Sequence, residues 1–436
     1  MPRLGLDIGT TSICAVVLRE DGRQLFAKSA ANSSGIKTAY AYEAAQDPQR
    51  IWEICQALLR DCLAAVPGIV GIGVTGQMHG LLYLDEAGNS ISPLYTWQDE
   101  SGSQPIPGAP EDESHCQRLS RLTGYAVSSG FGCATLFCHA AQGRIPAGAA
   151  QICTIHAYAA MRLCGKRRPL LHHSDAASFG LFDLKAGCFD PKALEAAQLP
   201  PALFPALTAH YDVLGDYRGI PVRVAIGDNQ ASFLGAAKVP ANSVLVNFGT
   251  GSQLSLCAGF LAPEQIAPGA ELRPLCGEQY LYVGSALCGG RAYALLEEFF
   301  RQCAEFLGCA AKEPTQVYAA MDRLLRQTPF PADPLRVDPR FAGERQAPHL
   351  RGGIERIGLQ NFTPGHLLWG LLEGMAEELH RFYAASGLTR TILVGAGNAL
   401  RKNEALRRAV ERRFGLPLIL APYEEEAASG AALIGD

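Results

Sequence analysis

Two short segments far apart in the chain, Asp7-Ile8-Gly9-Thr10-Thr11-Ser12 and Asn247-Phe248-Gly249-Thr250-Gly251-Ser252, repeat one pattern. Each follows a short apolar run, Leu4 to Leu6 or Val244 to Val246, and each precedes another, Ile13 to Leu18 or Gln253 to Ala258. Both therefore read as strand, glycine turn, strand. A turn with no bulky side chain over its backbone can close its N–H groups and hydroxyls around phosphate oxygens. Two of them predict a gripped polyphosphate and a molecule of two related halves, one hairpin to each. The first turn carries an acid able to face a metal ion and the second only an amide, so the halves are related without being equivalent.

A chain of 436 residues exceeds one ordinary core, at ~150 residues per domain. The repeat divides it into lobes of residues 1–220 and 221–436, with the boundary near Pro221, where Val222–Ile226 opens a new apolar strand. Charged residues make up 18% and the net charge is −4, which argues against the basic surface that nucleic acid requires. A small molecule is the expected partner. The 14 cysteines are scattered singly, without a CxxC pair or zinc spacing, and read as reduced, mostly buried thiols. The N-terminus runs straight into a strand and no apolar run approaches the ~20 residues that span a bilayer. The expectation is a cytoplasmic protein with no membrane segment.

Mixed elements follow in α/β order. Strands are expected at Leu4–Asp7, Ser12–Arg19 and Arg23–Ala31, and the 3.6-residue spacing of Ile51, Cys55, Leu58, Leu59, Cys62, Leu63 and Val66 predicts a helix over 48–66. Residues 69–74 read as a strand ending in Thr75-Gly76-Gln77-Met78-His79-Gly80, and 101–113 as a surface loop. Later, Thr363 caps a helix with Pro364 at its first position. Its buried stripe comprises Leu367, Leu368, Leu371, Leu372, Met375, Leu379 and Phe382, and Gly387 stops it. Residues 392–394 form a strand that runs into Gly395-Ala396-Gly397-Asn398 and a charged helix up to Gly415.

Several of these positions can carry chemistry. Asp7 ends a buried strand, where a carboxylate is costly unless a cation or donors compensate it; Mg²⁺, held directly or through water, would do so. The plainer reading is an aspartate capping its own turn. Asp228, in Gly227-Asp228-Asn229-Gln230, also ends a strand, and there it can accept a hydroxyl proton as that oxygen attacks phosphorus; an Asx turn is the alternative. Gln77, Met78 and His79 offer an amide, an apolar contact and an imidazole to a polyol. Trp97 offers a ring platform and Asp99 an acid for hydroxyls; a structural loop histidine and a buried tryptophan are the plainer readings of His79 and Trp97. Gly395-Ala396-Gly397-Asn398 ends a strand and opens a helix, so it can bring backbone against a nucleotide. A dehydrogenase is the poorer reading of that turn, because the third glycine of the dinucleotide fingerprint is missing.

Together the segments resemble the FGGY carbohydrate kinases of the actin, hexokinase and Hsp70 superfamily. The resemblance rests on their order: the first hairpin, Gly73-Val-Thr-Gly-Gln-Met-His-Gly80, Tyr95-Thr-Trp-Gln-Asp99, Ser174-Asp-Ala176 with Leu181-Phe-Asp183, Gly227 to Gln230, the second hairpin and the 395–398 turn. Phe341-Ala-Gly-Glu-Arg345, Pro348, Arg351-Gly352, Asn361 to Leu367 and Leu372-Glu-Gly-Met375 resemble the sedoheptulokinase branch, with the xylulokinases next. The resemblance implies an α/β, two-lobed actin-like (ribonuclease H-like) ATPase fold with a central cleft. It implies ATP- and Mg²⁺-dependent phosphorylation of a ketose at a primary hydroxyl, giving sedoheptulose 7-phosphate or, alternatively, xylulose 5-phosphate. Asp228 would be the general base and, with Asp7, would form the metal site. Gly9, Thr10, Thr11, Ser12, Gly249, Thr250 and Gly251 would hold phosphates, and Gly395, Gly397 and Asn398 would lie near the nucleoside. Gln77, Met78, His79, Trp97, Asp99 and Asn229 would bind the sugar. Two positions depart from the family: Cys14 stands where many xylulokinase-like members have Lys, and Ser101 where the Trp97-Gln98-Asp99 motif would continue to Arg. These departures give a competing reading, an actin-like regulator that binds ATP and phosphorylates nothing. Whether the protein forms a homodimer stays open.

Overall fold

The computed structural model describes residues 1–109, 112–309, 313–344, 347 and 349–435. Arg345 and Pro348 of the family-like segment, and residues 110 and 111 of the expected loop, lie outside them. The chain forms two compact units, Met1–Gly235 with Pro274–Gln279 and Glu425–Asp436, and Ala236–Arg273 with Tyr280–Glu424.

The first unit is built on strands β1 (Arg3–Ile8), β2 (Ser12–Leu18) and β3 (Gln24–Ala31), helix α1 (Pro48–Ala65) and strand β4 (Ile72–Gly76). Helix α2 (Ile155–Leu163), β5 (Val213–Tyr217), β6 (Ile220–Arg223), β7 (Ile226–Gly227) and helix α3 (Asp228–Ala236) follow. The sheet order is β5-β6-β4-β1-β2-β3, with β7 also on β4. The β1-β2-β3 meander is antiparallel and β4 joins β1 in parallel. Leu4, Leu6, Ile8, Ile13, Ala15 and Val17 are buried with Ile51, Cys55, Leu58, Leu59 and Cys62 of α1 in one core. The Asp47 side chain accepts from the Gln49 N–H and Pro48 takes the first helical position, so α1 starts where its sequence directs.

The unit boundary differs from the sequence expectation. Val222 pairs with Ile72, and Ile226 with Thr75, so residues 220–227 complete the first sheet and the first unit runs on to Gly235 with Asp228 inside it. The apolar strand near Pro221 is real, but which sheet it joins depends on a long-range parallel pairing that its own residues do not encode.

The second unit repeats the plan with β8 (Ser243–Phe248), β9 (Ser252–Ala258), β10 (Ala270–Cys276), β11 (Gln279–Ala286), helix α4 (Gly290–Phe306), helix α5 (Pro364–Ala385), β12 (Ile392–Ala396), helix α6 (Glu404–Phe414) and β13 (Leu418–Leu420). The order is β10-β11-β9-β8-β12-β13: an antiparallel meander beside parallel strands, as in the first unit. Thr363 caps α5, accepting from the His366 N–H, and the predicted stripe from Leu367 to Phe382 is buried. Gly387 has φ +65° just beyond the helix end.

Chain topology alone returns the last helix, α7 (Glu426–Leu433), to the first unit. It lies directly on the sheet: a Cβ at Gly5 would fall 1.8 Å from the Ala428 carbonyl oxygen, and one at Gly73 1.8 Å from that of Ala431. It also crosses α3 backbone to backbone, because a Cβ at Gly430 would fall 1.8 Å from the Ala231 oxygen. Only glycine fits these crossings. Among the described residues no helix is long and apolar enough to cross a membrane. All fourteen cysteines are unpaired, and Cys309 alone is exposed.

Candidate active site

The first glycine turn is closed by its own residues. A Cβ at Gly9 would fall 2.8 Å from the Ser12 oxygen, so the tight link from β1 to β2 requires glycine. Asn32, just beyond β3, secures it: its side-chain amide donates to the Gly9 carbonyl at 2.8 Å and its backbone N–H to that of Thr11 at 2.9 Å. Carbonyls of the turn are thus consumed inside the protein. Among the described residues no hydrogen bond engages the N–H of Thr10 or Thr11, and Thr11 and Ser12 are exposed. N–H groups left unengaged on a turn can form a cradle for anions.

Strand β4 brings the two acids together. In its register Thr75 faces Asp7 of β1 on one side and Ile226 of β7 on the other, and Asp228 opens α3 two residues later. Asp7 Oδ1 is buried without a hydrogen-bond partner. The Asp7 carboxyl is pushed up to about 7 by burial first, then by the nearby charges of Asp228 and Glu425, with His156 pulling the other way. Glu425 and His156 were not evident from sequence, and Asp175 stood there only within the family-like Ser174-Asp-Ala176 segment, with no role attached. Glu425 arrives from the far end of the chain, at the N-cap of α7. His156 Nε2 lies 2.6 Å from Asp175 Oδ1, both fully buried. No local spacing links these residues, so no sequence signal could have grouped them.

The residues expected on a sugar divide into two sets. Met78 packs over the backbone beside Asp228, since a Cβ at Gly227 would fall 2.7 Å from its sulfur. His79 adopts φ +72°, an uncommon backbone state that aims its ring. It stacks on Phe131 with centroids 4.6 Å apart, and Nδ1 lies 2.7 Å from the Ser178 carbonyl oxygen, to which Nδ1–H donates. Trp97 is 49% exposed, so it is a surface ring and not a core tryptophan. Asn229 follows Asp228, with Oδ1 buried and unpaired among the described residues.

Gln77 and Asp99, by contrast, are almost wholly buried, and Asp99 Oδ2 has no hydrogen-bond partner among the described residues. Gln77 is 2% exposed and bonds to Thr10 and Gln46. Asp99 is 1% exposed, and its Oδ1 accepts from the Ser101 N–H and the Thr135 hydroxyl, both at 3.1 Å. Its carboxylate ties down the turn that carries Trp97. Ser101 is fully buried in that turn. Cys14 is buried too, its thiol pushed up to about 12 chiefly by burial, so it contributes no charge beside the first turn.

In the second unit the turn after β8 has exposed Gly249 and Thr250. The start of α4 supports it, with the Gly290 N–H donating to the Gly249 carbonyl at 2.8 Å and the Gly289 and Arg291 N–H groups to that of Thr250. A Cβ at Gly289 would fall 2.2 Å from the Gly251 oxygen. The Gly289-Gly290 pair was missed in the sequence, although two adjacent glycines before a helix were the available signal. The 395–398 turn abuts the same place: Gly397 has φ +88°, and a Cβ there would fall 2.5 Å from Asn247 Oδ1. Gly395 is buried under Leu418 and Leu400, so its missing side chain serves packing, while Asn398 is exposed at the helix start.

A model of the FGGY family of carbohydrate kinases, N-terminal domain, matches residues 3–235, ending at Gly235 with the first and longest segment of the first compact unit. The chain is 31% identical to sedoheptulokinase of Homo sapiens, over 99% of this chain and 96% of that protein. Among solved structures, a xylulose kinase from Rhodospirillum rubrum aligns with a TM-score of 0.81 at 22% identity, covering 100% of this chain and 90% of that one. Plasmodium falciparum glycerol kinase with ADP aligns with a TM-score of 0.78 at 16% identity, covering 99% and 88%. These likenesses identify the fold as the two-part, actin-like α/β ATPase fold. With the hairpins, the paired acids and the matched family model on one chain, the protein belongs to the FGGY family of carbohydrate kinases.

Proposed function

We propose that this kinase transfers the γ-phosphoryl group of ATP to the primary hydroxyl of a ketose, with sedoheptulose as the preferred acceptor and sedoheptulose 7-phosphate and ADP as products. The observation that carries the reading is the meeting of Asp7 and Asp228 at the ends of strands flanking Thr75. Asp228 accepts the hydroxyl proton as the sugar oxygen bonds to phosphorus and the bond from phosphorus to the β-phosphate oxygen breaks. Such a base contributes modestly; holding the reactants in line and neutralising charge contribute most. The N–H groups of Thr10 and Thr11 in the first unit, and the 249–251 turn in the second, bind phosphate oxygens. Gly397 and Asn398 border the nucleoside.

The unpaired, buried Oδ1 of Asp7 fits an oxygen-coordinated divalent cation. Asp7 would hold Mg²⁺ with Asp228 beside it, and the ion would supply positive charge to the phosphates. His79, Met78, Asn229, the Trp97 ring and the unpaired Oδ2 of Asp99 contact the sugar, while Asp99 Oδ1 anchors the turn. Near-complete alignment with human sedoheptulokinase supports the seven-carbon acceptor. The test is ADP release by the wild type and Asp228→Asn with sedoheptulose, D-xylulose, D-ribulose, L-fuculose and glycerol. Fastest turnover on sedoheptulose, lost in the variant, is expected. Unchanged turnover in the variant removes Asp228 as the base, and preference for D-xylulose reassigns the substrate.

A further inference from the structure

We infer that Gln46, a residue outside every motif above, is a positioning residue of this reaction; the inference rests on the phosphate and sugar roles proposed for Thr10 and Trp97. Gln46 is 6% exposed and sits on the strand at Ala45–Gln46. Its side-chain amide donates to the Thr10 carbonyl at 2.8 Å. Its own oxygen accepts from Gln77 Nε2 at 2.8 Å. Gln77 Oε1 accepts from the Thr10 hydroxyl at 3.1 Å, which closes a ring. The Trp97 indole N–H then donates to Thr10 Oγ1 at 2.9 Å.

The ring has only one consistent sense. A backbone carbonyl can only accept, so Gln46 must present its NH₂ to Thr10 and its oxygen to Gln77. Gln77 must then present its NH₂ to Gln46 and its oxygen to Thr10, and the single hydroxyl hydrogen of Thr10 is committed to Gln77. Two consequences follow. Thr10 has no hydroxyl hydrogen left for a phosphate, so its contact there is through its backbone N–H. Trp97 has its N–H engaged, so it meets a sugar with its ring face alone. Gln46 thereby fixes the spacing between a phosphate-binding turn and the sugar platform, and misplacing reacting groups by about 1 Å can cost ~10²-fold in rate.

The test combines Gln46→Met, Gln46→Glu, Gln77→Met and the Gln46→Met/Gln77→Met double variant, with thermal melts to confirm folding at the assay temperature. Each single variant is expected to lower kcat about tenfold or more, and the double variant no further than the worse single, because the ring fails as a unit. Gln46→Glu, which can accept from Gln77 but cannot donate to Thr10, should not rescue. The Trp97 indole N–H resonance, assigned with Trp97→Phe, should move in Gln46→Met while those of Trp52 and Trp369 stay. Kinetic constants within twofold of wild type, additive losses, rescue by Glu, or an unmoved Trp97 resonance would each overturn the inference. If the wild type phosphorylates no sugar in the panel, the substrate reading fails and the indole resonance alone decides the ring.

Discussion

The fully buried Thr75 hydroxyl donates a 2.7 Å hydrogen bond to the Ile226 carbonyl oxygen, two residues before Asp228. Thr75 is also the register partner of Asp7, so one side chain on β4 sets the separation of the two acids. Thr75→Val preserves shape and deletes the donor, leaving a buried carbonyl short of a partner at a cost of about 1–3 kcal/mol. A melt should show that loss, and kcat should fall about tenfold as Asp228 relaxes, with little change in the KM for ATP. Wild-type kcat in a destabilised variant would show that the bond serves the fold alone.

The two acids should respond differently to neutralisation. Asp228→Asn removes the proton acceptor and is expected to lower kcat by about 10²–10⁴. Asp7→Asn should also abolish most turnover, yet make the metal-free protein more resistant to heat at pH 8. The folded Asp7 carboxyl titrates near 7 against 3.8 for an unperturbed one, so between those values the folded state binds the extra proton. Stability from this group is therefore fully present below pH 3.8 and is lost as the pH rises towards 7. The variant and wild type should melt alike near pH 4 and diverge above pH 7; equal melts at pH 8 would contradict the electrostatic account.

The duplicated plan and the site were legible to different depths. The hairpins at residues 7–12 and 247–252, the cap at Thr363 with Pro364 behind it, and the stripe from Leu367 to Phe382 are local patterns, and local patterns survive folding. The boundary near Pro221 and the return of α7 depend on which distant backbone a strand or helix meets. Glu425 reaches Asp7 only through that return. Burial also could not be inferred from motif membership: Trp97 and Asp99 share one motif, yet the ring is half exposed and the carboxylate is inside.

A second acid, in the other unit, predicts a pH effect independent of catalysis. Glu378 of α5 is 4% exposed and lines a 510 Å³ cavity with Arg340 and Arg381. Burial pushes its carboxyl up to about 7, against the opposing pull of Arg381. The folded state again holds the extra proton, between pH 4.5 and 7, so stability falls across that window by up to about 3 kcal/mol. Glu378→Gln should flatten the fall, matching wild type at pH 4.5 and exceeding it at pH 8 in urea melts of the protein. An unchanged pH slope would place the titration elsewhere.

The last twelve residues should be indispensable to the first unit, although they follow the whole of the second in sequence. Helix α7 buries Ala428, Ala431 and Ala432, and its backbone touches β1, β4 and α3 where Gly5, Gly73 and Gly430 leave no room for a side chain. Gly430→Val would press a branched side chain into the Ala231 carbonyl, whose oxygen a Cβ would meet at 1.8 Å, and the helices would have to separate. Overpacking of this kind costs about 1–3 kcal/mol or more, and separation would also pull Glu425 from Asp7. The expected result is a lower melting temperature together with a fall in kcat, whereas Gly387→Ala, at an open position beyond α5 with φ +65°, should cost only about 1 kcal/mol and spare kcat. Comparable kinetics in the two variants would mean that α7 does not shape the acidic site.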